Sequence, residues 1–247
     1  MNEIPDDHPR ADSLYIRHRL IDGMHQNIVA EAGLIAHGRG EAFDYLLGEK
    51  THPFAIRAIE AAAATLYLAD NPIISVNGNV AVLCPDDLIL FSRQSGIQLE
   101  VNLFYRSEKR LQALADYFAA LGFQDMLGLD PEYYDKIKQL NSARRIVDTR
   151  GIFKADVVLV SLEDGDRTEH LIKQGKKVLT IDLNPLSRTA RMANITIIDN
   201  VIRVIPLLRR SFSRIKDKDD ATALLRGYDN KEIVQSSLET ICRQFKQ

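Results

Sequence analysis

Several short stretches of the chain pair charged side chains with turn-forming residues in ways that suit a phosphorylated ligand. In His37-Gly38-Arg39-Gly40-Glu41, the glycines let backbone N–H groups approach a phosphate while the guanidinium adds a bidentate, charge-assisted contact. A tight turn carrying a solvated arginine fits the same residues. Asp182-Leu183-Asn184-Pro185 offers a carboxylate that can receive ribose hydroxyls, with Pro185 fixing the turn and Arg188 and Arg191 following. Its bland reading is a proline turn with arginines in water. Glu163, Asp164 and Asp166 can hold Mg2+ or a substrate ammonium, since a hard cation wants oxygen ligands. Asp166 and Glu169 also match a helix capping box, which is the favoured role for those two. Asp199-Asn200 either meets a nucleotide or caps the helix beginning near Val201.

These motifs matter only if the fold brings them together, and the hydrophobic pattern supplies a way. Apolar runs near 73–76, 80–83, 99–104, 156–161, 178–181 and 195–198 read as strands. The three within 155–205 are apolar enough for parallel strands buried on both faces. Residues 32–36 read as another strand, turning at His37 into a helix. Helical periodicity covers 13–28, with Ser13 as N-cap, then 53–69, 86–94, 106–121 capped by Ser107, 201–214, 218–226 and 230–245. The alanine-rich helix at 53–69 is expected to be buried or to face a second copy. Residues 122–154 show no clear period and read as an excursion between core elements. The expected fold is α/β: a doubly wound parallel sheet with flanking helices, in one domain of 1–247, in which 1–30 form an N-terminal helical extension and 31–247 the core with its C-terminal helices. In such sheets ligands gather outside the carboxyl ends of the strands. The charged motifs all follow strands, as do Asn77-Gly78-Asn79 and Arg106-Ser107.

The bulk properties exclude several classes. A formal charge of −2 and 45% hydrophobic residues describe a globular chain with no global field for nucleic acid or an anionic membrane. The basic run Arg203, Arg209, Arg210, Arg214, Lys216 and Lys218 lacks interleaved aromatics apart from Phe212 and reads as a solvated helix face. No apolar run approaches membrane-spanning length. The distant cysteines Cys84 and Cys242 fit a reducing, cytoplasmic setting. The histidines lack zinc-ligand spacing, and neither a G-x-G-x-x-G nor a P-loop pattern is present.

The blocks AGLIAHGRGEAFDYLLGEKT, ISVNGNVAVL, LEVNLFYRSEKR, ADVVLVSLEDGDRTE and TIDLNPLSRTARMANITIIDN together resemble archaeal phosphopantothenate synthetase. The likeness runs from the HPR at 8–10 to about residue 205 and weakly into YDN at 228–230; 122–150 matches poorly. It implies a Rossmann-like homodimer that joins 4-phosphopantoate to β-alanine, with ATP released as AMP and diphosphate. It also implies ATP contacts at Arg17, Arg39, Asp182, Leu183, Asn184, Arg188, Thr189, Asn200 and Val201. By that analogy the pantoate carboxylate attacks the α-phosphorus to give an acyl adenylate, and the amine then attacks the activated carbonyl. Arg39 and Mg2+ would screen the phosphates, and Glu163 or water would take the amine's proton. Asn77, Asn79, Arg106, Asp164 and Arg191 are candidates for the other substrates, with Arg106, Lys109 and Arg191 the cations considered for the 4-phosphate. Two rivals remain at this point: another Rossmann-like nucleotide user, such as a methyltransferase or dehydrogenase, and a nucleotide sensor without turnover.

Overall fold

The apolar strand runs fold as one parallel sheet. The computed structural model describes residues 5, 8, 10–137, 140–162 and 164–244. Its strands are β1 (Pro72–Val76), β2 (Gln98–Val101), β3 (Tyr134–Lys136), β4 (Ile146–Asp148), β5 (Val157–Ser161), β6 (Lys177–Ile181) and β7 (Ile195–Ile197). Five of them lie in the order β2-β1-β5-β6-β7, all parallel, while β3 and β4 form a separate antiparallel pair. The chain therefore reverses its direction of travel across the sheet between β1 and β5. At such a switch point the flanking loops diverge to opposite faces and leave a crevice at the carboxyl edge.

Alternation along β5 shows why both faces need cover. Val157 and Leu159 join the larger apolar cluster, and Val158 and Val160 join the smaller one on the other face. Each such side chain contributes roughly 1.5–3 kcal/mol when fully buried. Helices α1 (Ala11–His25), α2 (Glu31–Leu46), α3 (Pro53–Leu68), α4 (Gly78–Leu83), α5 (Pro85–Ser95) and α6 (Glu108–Ala120) precede the second half of the sheet. Then come α7 (Gly165–Lys173), α8 (Arg188–Met192), α9 (Val201–Arg214), α10 (Lys218–Leu225) and α11 (Asn230–Gln244). As its composition predicts, α3 is buried: its alanines let α9, α10 and α11 pack closely on it. The C-terminal helices thus reach the sheet largely through α3, while α11 also touches β7.

The 122–154 excursion acts as a covering layer. Leu127, Ile137, Leu140, Val147 and Ile152 pack on the second face beside Leu171 of α7, where a crossover helix would otherwise sit. Its anchor is Glu100 of β2, fully buried, which accepts the backbone N–H of Asp148 at 3.0 Å and of Ile152 at 2.6 Å. Asn102 adds a second tie, donating to the carbonyls of Arg144 and Ile146 at 3.1 and 3.0 Å.

Three local expectations are corrected. Residues 32–36 are not a strand, and His37-Gly38-Arg39-Gly40 is not a turn: both lie inside the continuous helix α2. Residues 80–83 are the short helix α4, every residue of which is buried. A run that is apolar on all sides carries no period to separate strand from helix. Ser13 does not cap α1, which starts at Ala11; its hydroxyl donates to Glu41 instead.

Candidate functional site

At the switch point, the end of β1 is tied to the end of β5 by one side chain. Asn77 caps α4, its carbonyl oxygen accepting from Val80 N–H at 3.1 Å, and its amide donates to the Ser161 carbonyl at 2.6 Å. Gly78 follows because nothing larger fits: a Cβ there would lie 2.2 Å from the Ile28 carbonyl oxygen. Asn79 holds α2 in place through its amide, which donates to the Gly33 carbonyl at 2.9 Å. On the β5 side, Leu162 adopts φ 50°, a left-handed conformation that costs a branched side chain on the order of 1–3 kcal/mol and is tolerated where the surroundings enforce it.

Between these loops lies a cleft of about 210 Å3 whose lining includes Arg39, Asn77, Asn79, Arg110, Arg144 and Asp164. Its electrostatics are lopsided. Arg144 is 6% exposed and pairs with Asp164 at 3.2 Å. Arg110 spends its donors on neutral carbonyls, those of Ile28 (2.6 Å) and Tyr105. Burial, followed by the charge of Arg144, lowers the Arg110 pKa. Among the described residues, two guanidinium groups thus share one low-dielectric cleft with one carboxylate, and Arg39 adds a third cation at the rim. That arrangement fits an anionic ligand with several oxygens.

Leu162 also walls a smaller cavity, about 10 Å3, formed with His37, Leu183, Asn200 and Val201. Beyond His37 and Asn200 a broader cleft of about 600 Å3 opens along α1. Asn200 caps α9, accepting from Ile202 N–H at 3.3 Å, and donates to Asp44 at 2.8 Å. Asp44 and Asp199, both buried, share Arg203, and Thr51 donates to Asp199 at 2.6 Å. Glu41 accepts from Arg17 at 3.1 Å through both oxygens, and its pKa is lowered: burial works against this, but the hydrogen bonds from Arg17 and Ser13 outweigh it. At Asp182 the balance runs the other way. Burial raises its pKa, even though Ser187 (2.5 Å), the Asn184 N–H (2.9 Å) and the charge of Arg39 favour the anion.

The cleft and its neighbour thus bring together Arg39, Asn77, Asn79, Asp164, Leu183, Asn200 and Val201. Other expected residues are engaged elsewhere. Arg188 is exposed and pairs with Asp166 and Glu169, so those two carboxylates do not form a capping box; Asp164 is the cap of α7, accepting from Arg167 N–H at 2.8 Å. Arg106 donates to the Gly128 carbonyl at 3.0 Å and stacks 4.5 Å over Tyr134. Arg191 and Lys109 are exposed and line none of these clefts, and Thr189 is buried at the start of α8. Glu163 lies outside the described residues. Arg110 and Arg144 were not foreseen: Arg110 sits three residues past the foreseen cap Ser107, a hint in itself, but Arg144 comes from the excursion, where no pattern marks it. Among the described residues no three His, Cys, Asp or Glu side chains converge as a metal cage, and no helix is long and apolar enough to cross a membrane.

The family model for phosphopantothenate/pantothenate synthetase matches residues 54–244, which spans the sheet and the cleft lining from Asn77 onward but not the part that α2 supplies. The chain belongs to this family. Similar relatives include the 4-phosphopantoate–β-alanine ligases of Thermococcus onnurineus and Methanosarcina mazei. The first is 49% identical over 96% of this chain and 92% of its own; the second is 44% identical over 100% and 97%. That of Methanospirillum hungatei is 43% identical over 96% of each chain. Membership disposes of the methyltransferase and dehydrogenase alternatives.

Proposed function

We propose that this chain joins 4-phosphopantoate to β-alanine at the expense of ATP, giving 4'-phosphopantothenate, AMP and diphosphate, a step of coenzyme A biosynthesis. The observation that carries the assignment of the site is the excess of guanidinium over carboxylate at the switch point. A phosphomonoester bearing a carboxylate would meet Arg110 and the donors of the Arg144–Asp164 pair while leaving Arg39 for the triphosphate. In the first step a pantoate carboxylate oxygen attacks the α-phosphorus and diphosphate departs. In the second, the β-alanine amine attacks the acyl carbon, AMP departs, and the amine proton passes to water or to Glu163, which adjoins the cleft residue Asp164 in the chain.

Attack of one anion on another is opposed by Coulomb repulsion, so the work of the protein is to hold cations where negative charge accumulates. Arg39 meets that need from the helix face that borders both cavities. Asn77 and Asn79 hold neutral amides against the substrate's hydroxyl and carbonyl groups. Leu183, Asn200 and Val201 line the nucleotide side, with Asp182 and Asn184 shaping the turn beneath it. Arg17 and Arg188 take part only if ATP draws them from their carboxylate partners. Mg2+ enters as the complex of the triphosphate, its usual mode with phosphate substrates, and no protein ligand is assigned to it. A homodimer in the cytoplasm is the proposed working form.

The test is AMP and diphosphate release by the purified protein with ATP and Mg2+, supplying the phosphorylated acid and β-alanine together, each alone, and pantoate in place of its phosphate. Release only with both organic substrates, and far faster with the phosphorylated acid, is the expected outcome. ATP binding without AMP formation in any mixture would point to a sensor and overturn the proposal.

A further inference from the structure

His37 occupies an unusual position. It lies on α2, 8% exposed, and its Nε2 is screened from solvent with no hydrogen-bond partner. A buried unsatisfied ring nitrogen is a cost that a fold carries only for a reason. With Asn200, His37 is common to the 10 Å3 cavity at the end of β6 and the broader cleft along α1, and so forms the partition between them.

We infer that His37 contacts the nucleotide directly, its Nε2 forming a hydrogen bond to the nucleoside end of ATP as that end parts His37 from Val201 and enters the apolar cavity. The inference rests on the ligase reading above and deepens it. The charge distribution selects which end of ATP arrives here. Around His37, Arg10 and Arg17 pair with Glu41, and Arg203 pairs with Asp44 and Asp199. A triphosphate entering this side would have to displace a carboxylate to gain Arg10, Arg17 or Arg203, and the remaining arginine of that cleft, the exposed Arg19, is held to the Val82 carbonyl. On the other side of Leu162, by contrast, the cleft holds Arg39, Arg110 and Arg144. The walls on the His37 side, Leu83, Leu162, Ile181, Leu183 and Val201, are apolar beside the paired Asp199, and their cavity of about 10 Å3 admits a flat, weakly polar ring only as His37 and Val201 part. Burial lowers the His37 pKa, with Glu41 and Asp44 opposing, which keeps the ring neutral. A neutral imidazole offers either a donor or an acceptor at Nε2 to an uncharged partner.

The experiment compares wild type with His37→Phe, which keeps the ring and removes its polar atoms, and His37→Gln, which restores a hydrogen-bonding group. Calorimetric Kd values for ATP and for adenosine, inhibition by diphosphate, KM for each substrate and Tm are measured. The expected result for His37→Phe is Kd and KM for ATP raised about tenfold, one lost hydrogen bond in magnitude. Adenosine should weaken equally, while diphosphate inhibition and KM for the phosphorylated acid stay within twofold. His37→Gln should recover part of the loss. Tm should hold or rise, because a buried unsatisfied atom has been removed; a residue with only a structural role would lower Tm and leave nucleotide affinity alone. Unchanged ATP and adenosine binding by a folded His37→Phe overturns the inference while leaving the ligase reading intact. Should the wild type bind ATP without turning it over, the ligase reading fails and the Kd comparison still decides on His37. Failure of the wild type to bind ATP at all overturns both.

Discussion

Replacing Arg144 by methionine tests the assignment of the phosphorylated acid to the switch-point cleft. The substitution keeps the length of the side chain and removes its charge. Its backbone anchor survives, because the Asn102 amide donates to the carbonyl of residue 144, although the guanidinium's own bond to the Asn102 carbonyl at 3.3 Å is lost. Asp164 keeps its other role, accepting from the Arg167 N–H through Oδ1. The apo protein loses the pairing of Arg144 with Asp164 at 3.2 Å and the side chain's bond to the Asn102 carbonyl. Because Arg144 is buried, the protein's stability should fall by about 1–3 kcal/mol, offset in part by removal of the like charge beside Arg110. Binding is different. A hydrogen bond to a charged group contributes about 1.5–3 kcal/mol, equivalent to roughly 10–150-fold in kcat/KM for 4-phosphopantoate. The value should fall toward the upper end, since the Asp164 carboxylate, no longer countered by Arg144, faces the incoming dianion. Unphosphorylated pantoate makes no such contact, so its kcat/KM should move less than about threefold, and discrimination should fall by nearly the whole loss. Arg144→Lys should lie between, keeping the charge without the planar fork. AMP release by wild type and both variants with each acid at several concentrations gives all six values. A folded Arg144→Met enzyme that still discriminates as the wild type does would refute the reasoning and move the phosphate site elsewhere.

Three further outcomes are expected. Arg39→Ala should lose on the order of 10²–10³ in rate with folding intact, as for other transition-state charge stabilisers; steady-state AMP release reads this, and a loss under roughly threefold counts against the role. Glu100 is fully buried and its carboxyl is pushed from 4.5 up to about 7, with burial the main cause and the backbone hydrogen bonds from Ile152 and Asp148 opposing. A raised folded-state pKa favours the protonated fold, so this contribution is complete below about pH 4.5 and is lost as pH rises through 7. The unfolding free energy from urea titrations should therefore drop across that window by an amount on the order of 3 kcal/mol, and Glu100→Gln should flatten the dependence. Gly78→Ala should cost about 1–3 kcal/mol, read as a lower Tm together with a loss of activity, because its Cβ would meet the Ile28 carbonyl that Arg110 also grips.

The layers of the fold were readable where burial is one-sided or the chain announces its own ends. Strands β5, β6 and β7 stand out as runs of β-branched residues between polar loops, and α6 and α9 follow Ser107 and Asn200, whose side chains do cap them. Reading failed where a short segment carries no period that separates strand from helix. Helix α4 is covered on every side, and the first turns of α2, with glycines at 33, 38 and 40, carry no strong apolar stripe, so short-range pattern mistook both for strand. The motif that first suggested a phosphate turn is therefore one face of a helix, and Arg39 reaches the cleft by its place on that face rather than by loop geometry.

The site was legible in its frame and less so in its charges. Asn77, Asn79, Asp164 and Asn200 follow or cap elements at the carboxyl edge, where their chain positions already pointed. The cation with the firmest placement in the cleft, Arg144, arrives on a segment with no helical or strand period, because that segment's conformation is dictated from outside by Glu100 and Asn102 on and beside β2. Conversely Arg106, Arg188 and Arg191, which stand next to promising motifs, are drawn to a carbonyl, to exposed carboxylates and to solvent. An arginine's sequence neighbours fix only where its Cα lies; its long side chain goes wherever a buried acceptor competes best for it. The excursion that covers the second face is thus also what completes the anion site, so loosening the Glu100 anchor should impair selectivity for the phosphorylated acid before it unfolds the sheet.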